Sequence, residues 1–472
     1  MNFNRPTESK GIARRDWLKS LSIGGLAAIT SNASRGETNQ TASSSTVRGI
    51  IFMVSDGMSP GVLTMAQNFS RITRNKGTRW WDLINESSAA RGLMDTASAN
   101  SMVTDSAAAS SAWGGGQRVN NGMINYNPSG KAITPIGKIL KDKGRRIGLV
   151  TTATVTHATP AGFAAAVTDR NDEDSVAEQY LDRVDVILGG GSAFFNAETR
   201  EDHKNLFAAY QRSGYDILRH RDSLLGSKSE KLLGTFAPSH IPYSIDRNGN
   251  KDLQTSVPTL AEMAQAAVSR FLAGSEPFLL QIEGARIDHA AHLNDIGALL
   301  HEQIAFDDAL AQVLAMTAHR SDILVVVTSD HGNSNPGLNG MGASYKNSSL
   351  CFQRISAMKE SHESLFARWA QKPKEDLGRM VRESLGFPLE DEQKQALLEI
   401  LQSKTVVEWN DQLAKPEGLL GQFAGNHTGI GWTGTTHTSD PTIVTAIGPQ
   451  CQRFSGMVVN TDVFGHFTDL LA

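Results

Sequence analysis

Residues 50–58 read Ile-Ile-Phe-Met-Val-Ser-Asp-Gly-Met, so a run of large apolar residues ends at the carboxylate of Asp56. The run is short, rich in β-branched and aromatic residues, and closed by a glycine, which indicates a strand buried on both faces. Strands of this kind are typical of a parallel sheet that helices cover on each side. The stretch therefore predicts an α/β fold with a polar residue at the end of a central strand.

Similar apolar runs recur along the chain, at residues 146–151, 184–188, 277–282, 323–328 and 442–447. Helical spacing of apolar residues separates several of them, most clearly over 259–272 and 299–318. This alternation predicts a doubly wound, mainly parallel central sheet flanked by helices on both faces. Residues 353–415 are rich in Glu, Lys, Gln and Leu and predict a helical insertion between two sheet elements. Either a lid or partner surface, or simple structural filling, is consistent with it.

The composition is that of an ordinary globular protein and excludes few classes of function. The 472 residues are 40% hydrophobic and 20% charged, which fits one elaborated domain over residues 47–472. The formal net charge of −4 gives no basic field, so we expect no nucleic-acid-binding surface. The two cysteines, Cys351 and Cys451, form one disulfide at most, and the sequence leaves open whether they pair.

The N-terminus predicts export. Arg14 and Arg15 precede an apolar stretch at 21–29, too short to span a bilayer, and then small residues up to Ser34. Residues 1–34 resemble a twin-arginine export signal, with Trp17 where phenylalanine is usual, and residues 35–46 predict a disordered linker. A cytosolic amphipathic helix is the alternative. We expect a periplasmic or secreted protein, without a membrane span after signal removal, because no later apolar run reaches 18 residues.

Acidic residues and histidines lie next to the predicted strands. In an open parallel sheet, ligands bind beyond the carboxyl ends of the strands. Asp288 and His292 are four residues apart, so one helical face presents both to a single ion. Mixed carboxylate and imidazole ligands favour zinc, whereas oxygen ligands alone favour magnesium. The residues at these strand ends are Asp56, Glu283, Asp288, His292, Asp330, His331 and, just before the last strand, His437.

A second motif is Val-Thr-Asp-Ser-Ala-Ala-Ala-Ser at residues 103–110. A serine that opens an alanine-rich helix lies at the positive end of the helix dipole, among free N–H groups. This environment suits attack by Ser106 on a phosphate dianion. Taken alone, the same serine is also an ordinary helix cap.

Together these segments resemble the alkaline phosphatase family. The resemblance rests on SDGM (55–58), VTDSAAAS (103–110), THATPAGFAAAVTDR (156–170), EGARIDHAAH (283–292), TSDHG (328–332) and TTHTSD (435–440). They follow the family's order and cover most of the mature chain except residues 353–415. The TDSAA and ARIDH segments together are the diagnostic ones.

The resemblance implies two zinc ions and one magnesium ion. The first zinc would be held by Asp288, His292 and His437, and the second by Asp56, Asp330 and His331, beside the nucleophile Ser106. Asp56 would also bridge to magnesium, together with Thr159 and Glu283. Arg170 falls where the family has its phosphate-binding arginine, since a guanidinium matches two phosphate oxygens. The alternative for Arg170 is a loop ion pair with Asp169 or Asp172.

Four histidines are open to more than one assignment. His437 is preferred to His427 because a short acidic turn, a buried strand and Gly-Pro follow it, as in the family. His157 and His289 match positions that vary between branches of the family. They would lie behind the metal ligands and tune the magnesium site and phosphate release, or else be exposed loop histidines.

The function predicted from this resemblance is an exported phosphomonoesterase that acts through a phosphoserine, with an alkaline optimum and, by family analogy, a homodimer. One alternative is a phosphodiesterase or nucleotide pyrophosphatase on the same metal scaffold. Such enzymes usually carry a threonine nucleophile and lack the third carboxylate, so Ser106 and Glu283 favour small-molecule phosphate monoesters. Another is a secreted metal- or phosphate-binding protein without turnover. The run GNSNPGLNGMG at 332–342 departs from the family and leaves substrate preference open.

Overall fold

The strands form one large sheet and two short pairs. The computed structural model describes residues 46–402 and 411–472. The predicted export signal, and residues 35–45 of the predicted linker, lie outside this part of the chain. The strands are β1 (Gly49–Ser55), β2 (Ala90–Met94), β3 (Arg146–Thr154), β4 (Val186–Gly190), β5 (Asp216–Leu218), β6 (Leu232–Thr235), β7 (Phe278–Gly284), β8 (Ile323–Thr328), β9 (Gly332–Asn333), β10 (Gly337–Leu338), β11 (Ile430–Gly431), β12 (His437–Thr438), β13 (Thr442–Ile447) and β14 (Gly456–Val458).

Helices connect most of these strands. They are α1 (Pro60–Arg74), α2 (Arg79–Asn85), α3 (Ser106–Gly115), α4 (Ile136–Asp142), α5 (Ala158–Ala164), α6 (Glu173–Gln179), α7 (Leu206–Arg212), α8 (Arg221–Gly226), α9 (Ser244–Gly249), α10 (Lys251–Ser256), α11 (Leu260–Ala273), α12 (Arg286–His292), α13 (Ile296–Thr317), α14 (Ser348–Gln353), α15 (His362–Trp369), α16 (Leu377–Leu385), α17 (Asp391–Leu401), α18 (Asp411–Ala414), α19 (Pro416–Thr428) and α20 (Asp462–Leu470). Short 3₁₀ turns lie at Ser192–Phe195, Ala343–Tyr345, Arg354–Ala357, Lys374–Asp376 and Cys451–Phe454.

Ten strands form the central sheet in the order β14-β2-β13-β8-β1-β7-β3-β4-β6-β5. Neighbouring strands run parallel except at β13, which is antiparallel to both β2 and β8. The predicted mainly parallel α/β sheet is therefore confirmed. The one reversed strand matters for the site, because β13 begins at the edge of the sheet where β8 and β1 end.

Both faces of the sheet are covered, which explains the continuous apolar run in β1. Ile51 and Met53 pack into a core formed with α1, α11 and α13. Ile50 and Phe52, on the opposite face, pack into a second core formed with α3, α4, α5 and α20. A strand buried on both faces has no polar side to show, so alternation disappears from its sequence.

Most predicted elements are present, with shifted ends. The strand predicted at 184–188 runs from Val186 to Gly190, and the strand predicted at 146–151 continues to Thr154. The helix predicted at 299–318 begins earlier, at Ile296, where Asp295 accepts the capping hydrogen bond. The sequence reading missed the short strands β2, β5, β6 and β14, which offer only three to five residues each.

Between β10 and β11 the described residues form helices and turns, beginning at α14 and ending at α19. This helical segment is wider than the predicted insertion at 353–415. β10 and β11 pair antiparallel and bring its two ends together. Cys351 and Cys451 are both buried as free thiols, so the two do not form a disulfide with each other. Among the described residues, no helix has the length and apolar character needed to cross a bilayer.

Candidate active site

Ser106 is the first residue of α3, and the preceding Asp105 is its cap. Asp105 Oδ1 accepts a hydrogen bond from the Ala108 amide at 2.9 Å. The reading of Ser106 as an ordinary cap is therefore wrong, because a neighbouring carboxylate already fills that role. Ser106 is buried, and its hydroxyl oxygen lies 3.2 Å from His331 Nε2.

Three predicted ligands surround this hydroxyl. Asp56 follows β1, and Asp330 and His331 follow the adjacent parallel strand β8. His331 Nε2 lies 3.1 Å from Asp330 Oδ2 and 3.6 Å from Asp56 Oδ1. Amides of Gly57 and His331 both donate to Asp330 Oδ1 at 3.0 Å, which fixes that carboxylate. The structure thus brings Asp56, Asp330 and His331 into one cluster beside Ser106.

A second cluster contains Asp288, His292 and His437. His292 Nδ1 donates to the Thr435 carbonyl at 2.7 Å, and His437 Nδ1 donates to the Thr104 carbonyl at 2.8 Å. Since a carbonyl only accepts, each neutral ring keeps its lone pair on Nε2. The two Nε2 atoms lie 3.1 Å apart, and Asp288 is 3.3 Å from the first and 3.6 Å from the second. Two lone pairs and a carboxylate that face one another call for a positive charge between them, supplied by a proton or by a metal ion.

His437 reaches this cluster from the short strand β12, which lies just before the reversed strand β13. β12 carries His437 and pairs antiparallel with β9, where His437 lies opposite Asn333. The Asn333 amide in turn donates to Asp288 Oδ1 at 2.7 Å. The rings of His331 and His437 stack at 3.7 Å, so the two clusters are continuous.

The third cluster lies on the other side of Asp56. Thr159, on α5, donates to Asp56 Oδ2 at 3.4 Å, and Glu283 lies at the end of β7. Glu283 Oε2 accepts from Thr151 at 2.6 Å. Asp56, Glu283 and His157 can each point one ligand atom within 4.8 Å of the others. Thr151 is a functional neighbour that the sequence reading missed, because it lies inside a strand rather than after one.

Four buried carboxylates in this small volume shift one another's pKa. Burial raises the pKa of Asp56 well above its usual value, and the charges of Asp330 and Asp288 add to that effect. Burial likewise raises the pKa of Glu283, to about 7. For Asp288, burial acts in the same direction, but the nearby His292 and His437 hold its pKa well below the usual value.

Several polar atoms of these clusters have no hydrogen-bond partner within the part of the chain the structure describes. They are buried and include Asp56 Oδ1, Glu283 Oε1, Asp330 Oδ2 and His331 Nδ1. A buried polar atom without a hydrogen bond costs about 1–3 kcal/mol, and more if charged. Divalent cations would satisfy the carboxylate oxygens and remove the mutual repulsion, so the residues present fit a metal centre.

Arg170 is held next to Ser106 by Asp105. Its Nη1 donates to Asp105 Oδ2 at 3.1 Å, and its Nη2 lies 3.2 Å from His157 Nε2. The predicted alternative, a pair with Asp169 or Asp172, is not what forms. Asp105 was not among the predicted site residues, although its position directly before the predicted nucleophile, Ser106, could have suggested a role in the site.

His157 and His289 lie together with a third histidine, His240. The ring centroids of His157 and His289 are 5.5 Å apart, and those of His240 and His289 are 4.5 Å apart. Burial lowers the pKa of all three, to about 4 for His240, and the guanidinium of Arg286 or Arg170 adds to it. His240 was missed because it follows a turn and carries no motif.

Known proteins resemble this chain in sequence. The sequence profile described as "Alkaline phosphatase" matches residues 47–471. The chain belongs to the alkaline phosphatase family. It is 29% identical to "Alkaline phosphatase 3" of Bacillus subtilis (strain 168), over 76% of this chain and 75% of that protein. It is 30% identical to "Streptomycin-6-phosphate phosphatase" of Streptomyces griseus, over 68% of this chain and 82% of that protein.

Solved structures of family members agree. The alkaline phosphatase of Thermus thermophilus matches with a TM-score of 0.85 and 34% identity, over 93% of this chain and 95% of that one. A cold-active relative from Shewanella sp. matches with a TM-score of 0.74 and 28% identity, over 90% and 100%. The family is one of phosphomonoester hydrolases, so the chain is such an enzyme. Membership also implies divalent metal ions.

Proposed function

We propose that this protein is an alkaline phosphatase that hydrolyses small phosphate monoesters through a phosphoserine on Ser106. The observation that carries the proposal is the position of the Ser106 hydroxyl. It lies at the start of α3, 3.2 Å from His331 and beside the clustered carboxylates of Asp56 and Asp330. A serine freed from capping and surrounded by ligand atoms is arranged for attack rather than for structure.

The chain's own residues would do the following. Ser106 Oγ attacks phosphorus in line with the ester oxygen, and the alcohol leaves. Water then attacks the phosphoserine from the vacated side and releases inorganic phosphate. The α3 amides and Arg170 stabilise the charge that spreads over the phosphoryl oxygens.

The metal assignment rests on ligand chemistry. Asp288, His292 and His437 would hold one zinc ion, and Asp56, Asp330 and His331 the second. Asp56, Thr159 and Glu283 offer oxygen atoms, which suits magnesium. When bound, the ions would lower the pKa of the serine hydroxyl and stabilise the departing alkoxide.

His157 is a less suitable ligand than its position suggests. Its Nε2 lies 3.2 Å from an arginine nitrogen, which only donates, so Nε2 accepts and a neutral ring carries its proton on Nδ1. Neither nitrogen then has a free lone pair for an ion. We therefore assign His157 to the support of Arg170 and keep Thr159 at the magnesium site.

Export and assembly remain part of the proposal. The twin-arginine pattern supports a periplasmic or secreted enzyme, and the homodimer stays a prediction by family analogy. Comparing the protein's size before and after export in a bacterial host tests the signal. Cleavage near residue 34 is expected, whereas an uncleaved cytosolic protein would contradict export.

Monoester preference is tested by paired substrates. With zinc and magnesium present, p-nitrophenyl phosphate should be hydrolysed far faster than bis-p-nitrophenyl phosphate. A preference for the diester would support the phosphodiesterase alternative. Binding of phosphate without turnover of either substrate would favour a binding protein.

A further inference from the structure

Arg286 links the helical segment to the active site. It opens α12, two residues before Asp288, and only 4% of its side chain is exposed. Its Nη1 lies 2.8 Å from His289 Nδ1, and its Nη2 donates to Glu363 Oε2 at 2.8 Å. The guanidinium also stacks on Tyr243, with Cζ 3.7 Å from the ring centroid. The guanidinium is therefore held from three sides.

This contact decides which nitrogen of His289 carries the proton. A guanidinium only donates, so His289 Nδ1 accepts and the neutral ring has its N–H at Nε2. No partner for Nε2 lies within the described residues, and the ring is partly exposed. His289 thus presents a fixed donor beside His157, which in turn contacts Arg170.

Glu363 belongs to α15 (His362–Trp369), the start of which contacts Arg286 and the turn after α12. The His362 amide, next to Glu363, donates to Asp295 Oδ2 at 2.6 Å, and the His362 ring contacts the Leu293 carbonyl at 3.3 Å. Both partners lie in the turn that follows the ligand His292. α15 is therefore anchored on the same backbone that carries the metal ligands.

We propose that Arg286 and Glu363 are positioning residues that fix the tautomer and orientation of His289 from the helical segment. The segment thereby determines whether an Nε2–H donor is available to an anionic oxygen at the phosphoryl site. The part of this inference that concerns phosphate rests on the function proposed above. The part that concerns the tautomer does not.

Glu363→Ala removes the outer partner of Arg286 at a position whose side chain is 55% exposed, so the fold should be retained. We expect inorganic phosphate to bind the zinc- and magnesium-loaded variant about 3- to 10-fold more weakly by calorimetry, because Arg286 without its outer partner holds His289 less firmly. Glu363→Gln keeps an acceptor and should recover most of the loss. Glu383→Ala removes another exposed carboxylate of the segment, one paired with Arg379, and should change nothing.

A double-mutant cycle separates positioning from general destabilisation. In the His289→Ala background, Glu363→Ala should cause no further loss of phosphate affinity. The ¹⁵N spectrum of histidine-labelled protein should show His289 as the Nε2–H tautomer, and this signature should weaken in Glu363→Ala. An undiminished Glu363→Ala effect in the double variant, unchanged affinity in the single variant, or an Nδ1–H tautomer in the wild type would each overturn the proposal. The spectrum remains informative even if the chain hydrolyses no phosphate ester.

Discussion

At the scale of single residues, Asp105 controls two features of the site with its two oxygens. Oδ1 caps α3 through the Ala108 amide, and Oδ2 accepts from the Gly122 amide at 2.9 Å and from Arg170 at 3.1 Å. The helix that begins with Ser106 and the arginine proposed to bind phosphate, Arg170, are therefore positioned by one carboxylate. Neither function is visible in a motif that reads simply Thr-Asp-Ser.

Asp105→Asn separates the two functions. Its amide oxygen can still cap α3, but its NH₂ group cannot accept from Arg170. We expect a small loss of thermal stability, because the Gly122 amide also loses its acceptor. The KM for p-nitrophenyl phosphate should rise about 10-fold, since a lost charge-assisted hydrogen bond costs about 1.5 kcal/mol or more. Asp105→Ala should in addition lose about 1 kcal/mol of stability with the cap. An unchanged KM in both variants would contradict this role.

Some of the site residues could be predicted from the sequence, and others could not. Carboxylates and histidines that end a strand, such as Asp56 and His331, could be named because parallel strands end at one edge. Thr151 and His240 could not, since their importance comes from what lies opposite them in space. His437 was named from its surroundings in the family, and the reversed direction of β13 supplies the physical reason for its position.

At the scale of elements, the crossing of α3 and α5 positions the proposed nucleophile, Ser106. The two helices approach so closely that a Cβ at Gly114 would lie 2.0 Å from the Gly162 carbonyl oxygen. Only glycine allows the backbones to meet at this distance. Nearer the start of α3, Ser110 Oγ donates to the Thr159 carbonyl at 2.5 Å, so the crossing ties the helix that begins with Ser106 to the helix that carries Thr159.

Gly114→Ala should therefore push the helices apart. Overpacking of this kind costs about 1–3 kcal/mol, and the displacement of Ser106 should lower kcat more than KM. Thermal unfolding and steady-state kinetics measure both effects. Gly465→Ala is the matched control, because nothing lies within 4 Å of its added Cβ in α20. Equal behaviour of the two variants would refute a special role for the crossing.

Elements were predictable in proportion to their length and burial. β8 and β13 match their predicted ranges, since each is a run of six residues made up mostly of β-branched side chains, which favour a strand. β5 and β14 have three residues each and acquire strand conformation only by pairing with β6 and β2. Local sequence carries no signal for such pairing.

At the scale of the whole molecule, the buried carboxylates of the candidate metal centre repel one another, and bound cations would relieve this repulsion. In the metal-free protein, burial raises the pKa of Glu283 from 4.5 to about 7. The folded state then holds a proton that the unfolded chain releases, so this group's contribution to stability is lost as pH rises through that window. Buried neutral histidines, with lowered pKa values, contribute the opposite slope near pH 4–6.

Glu283→Gln isolates the carboxylate from the histidines. As pH rises from 5 to 8, we expect the melting temperature of the metal-free variant to increase relative to that of the metal-free wild type. Adding zinc and magnesium should reverse the order at pH 8, because only the wild type offers the ions a negatively charged carboxylate at this position. If the difference in melting temperature between the two metal-free proteins stayed constant with pH, it would contradict the raised pKa of Glu283 on which this prediction rests.

The most direct test of the central claim is to trap the phosphorylated enzyme. Wild-type protein loaded with zinc and magnesium is mixed with p-nitrophenyl phosphate, quenched in acid, digested and analysed by mass spectrometry. We predict a single phosphate on Ser106, absent from Ser106→Ala, which should keep its bound metals and fold but lose about 1000-fold or more in kcat. Full activity in Ser106→Ala, or a phosphate carried by a different residue, would contradict the account.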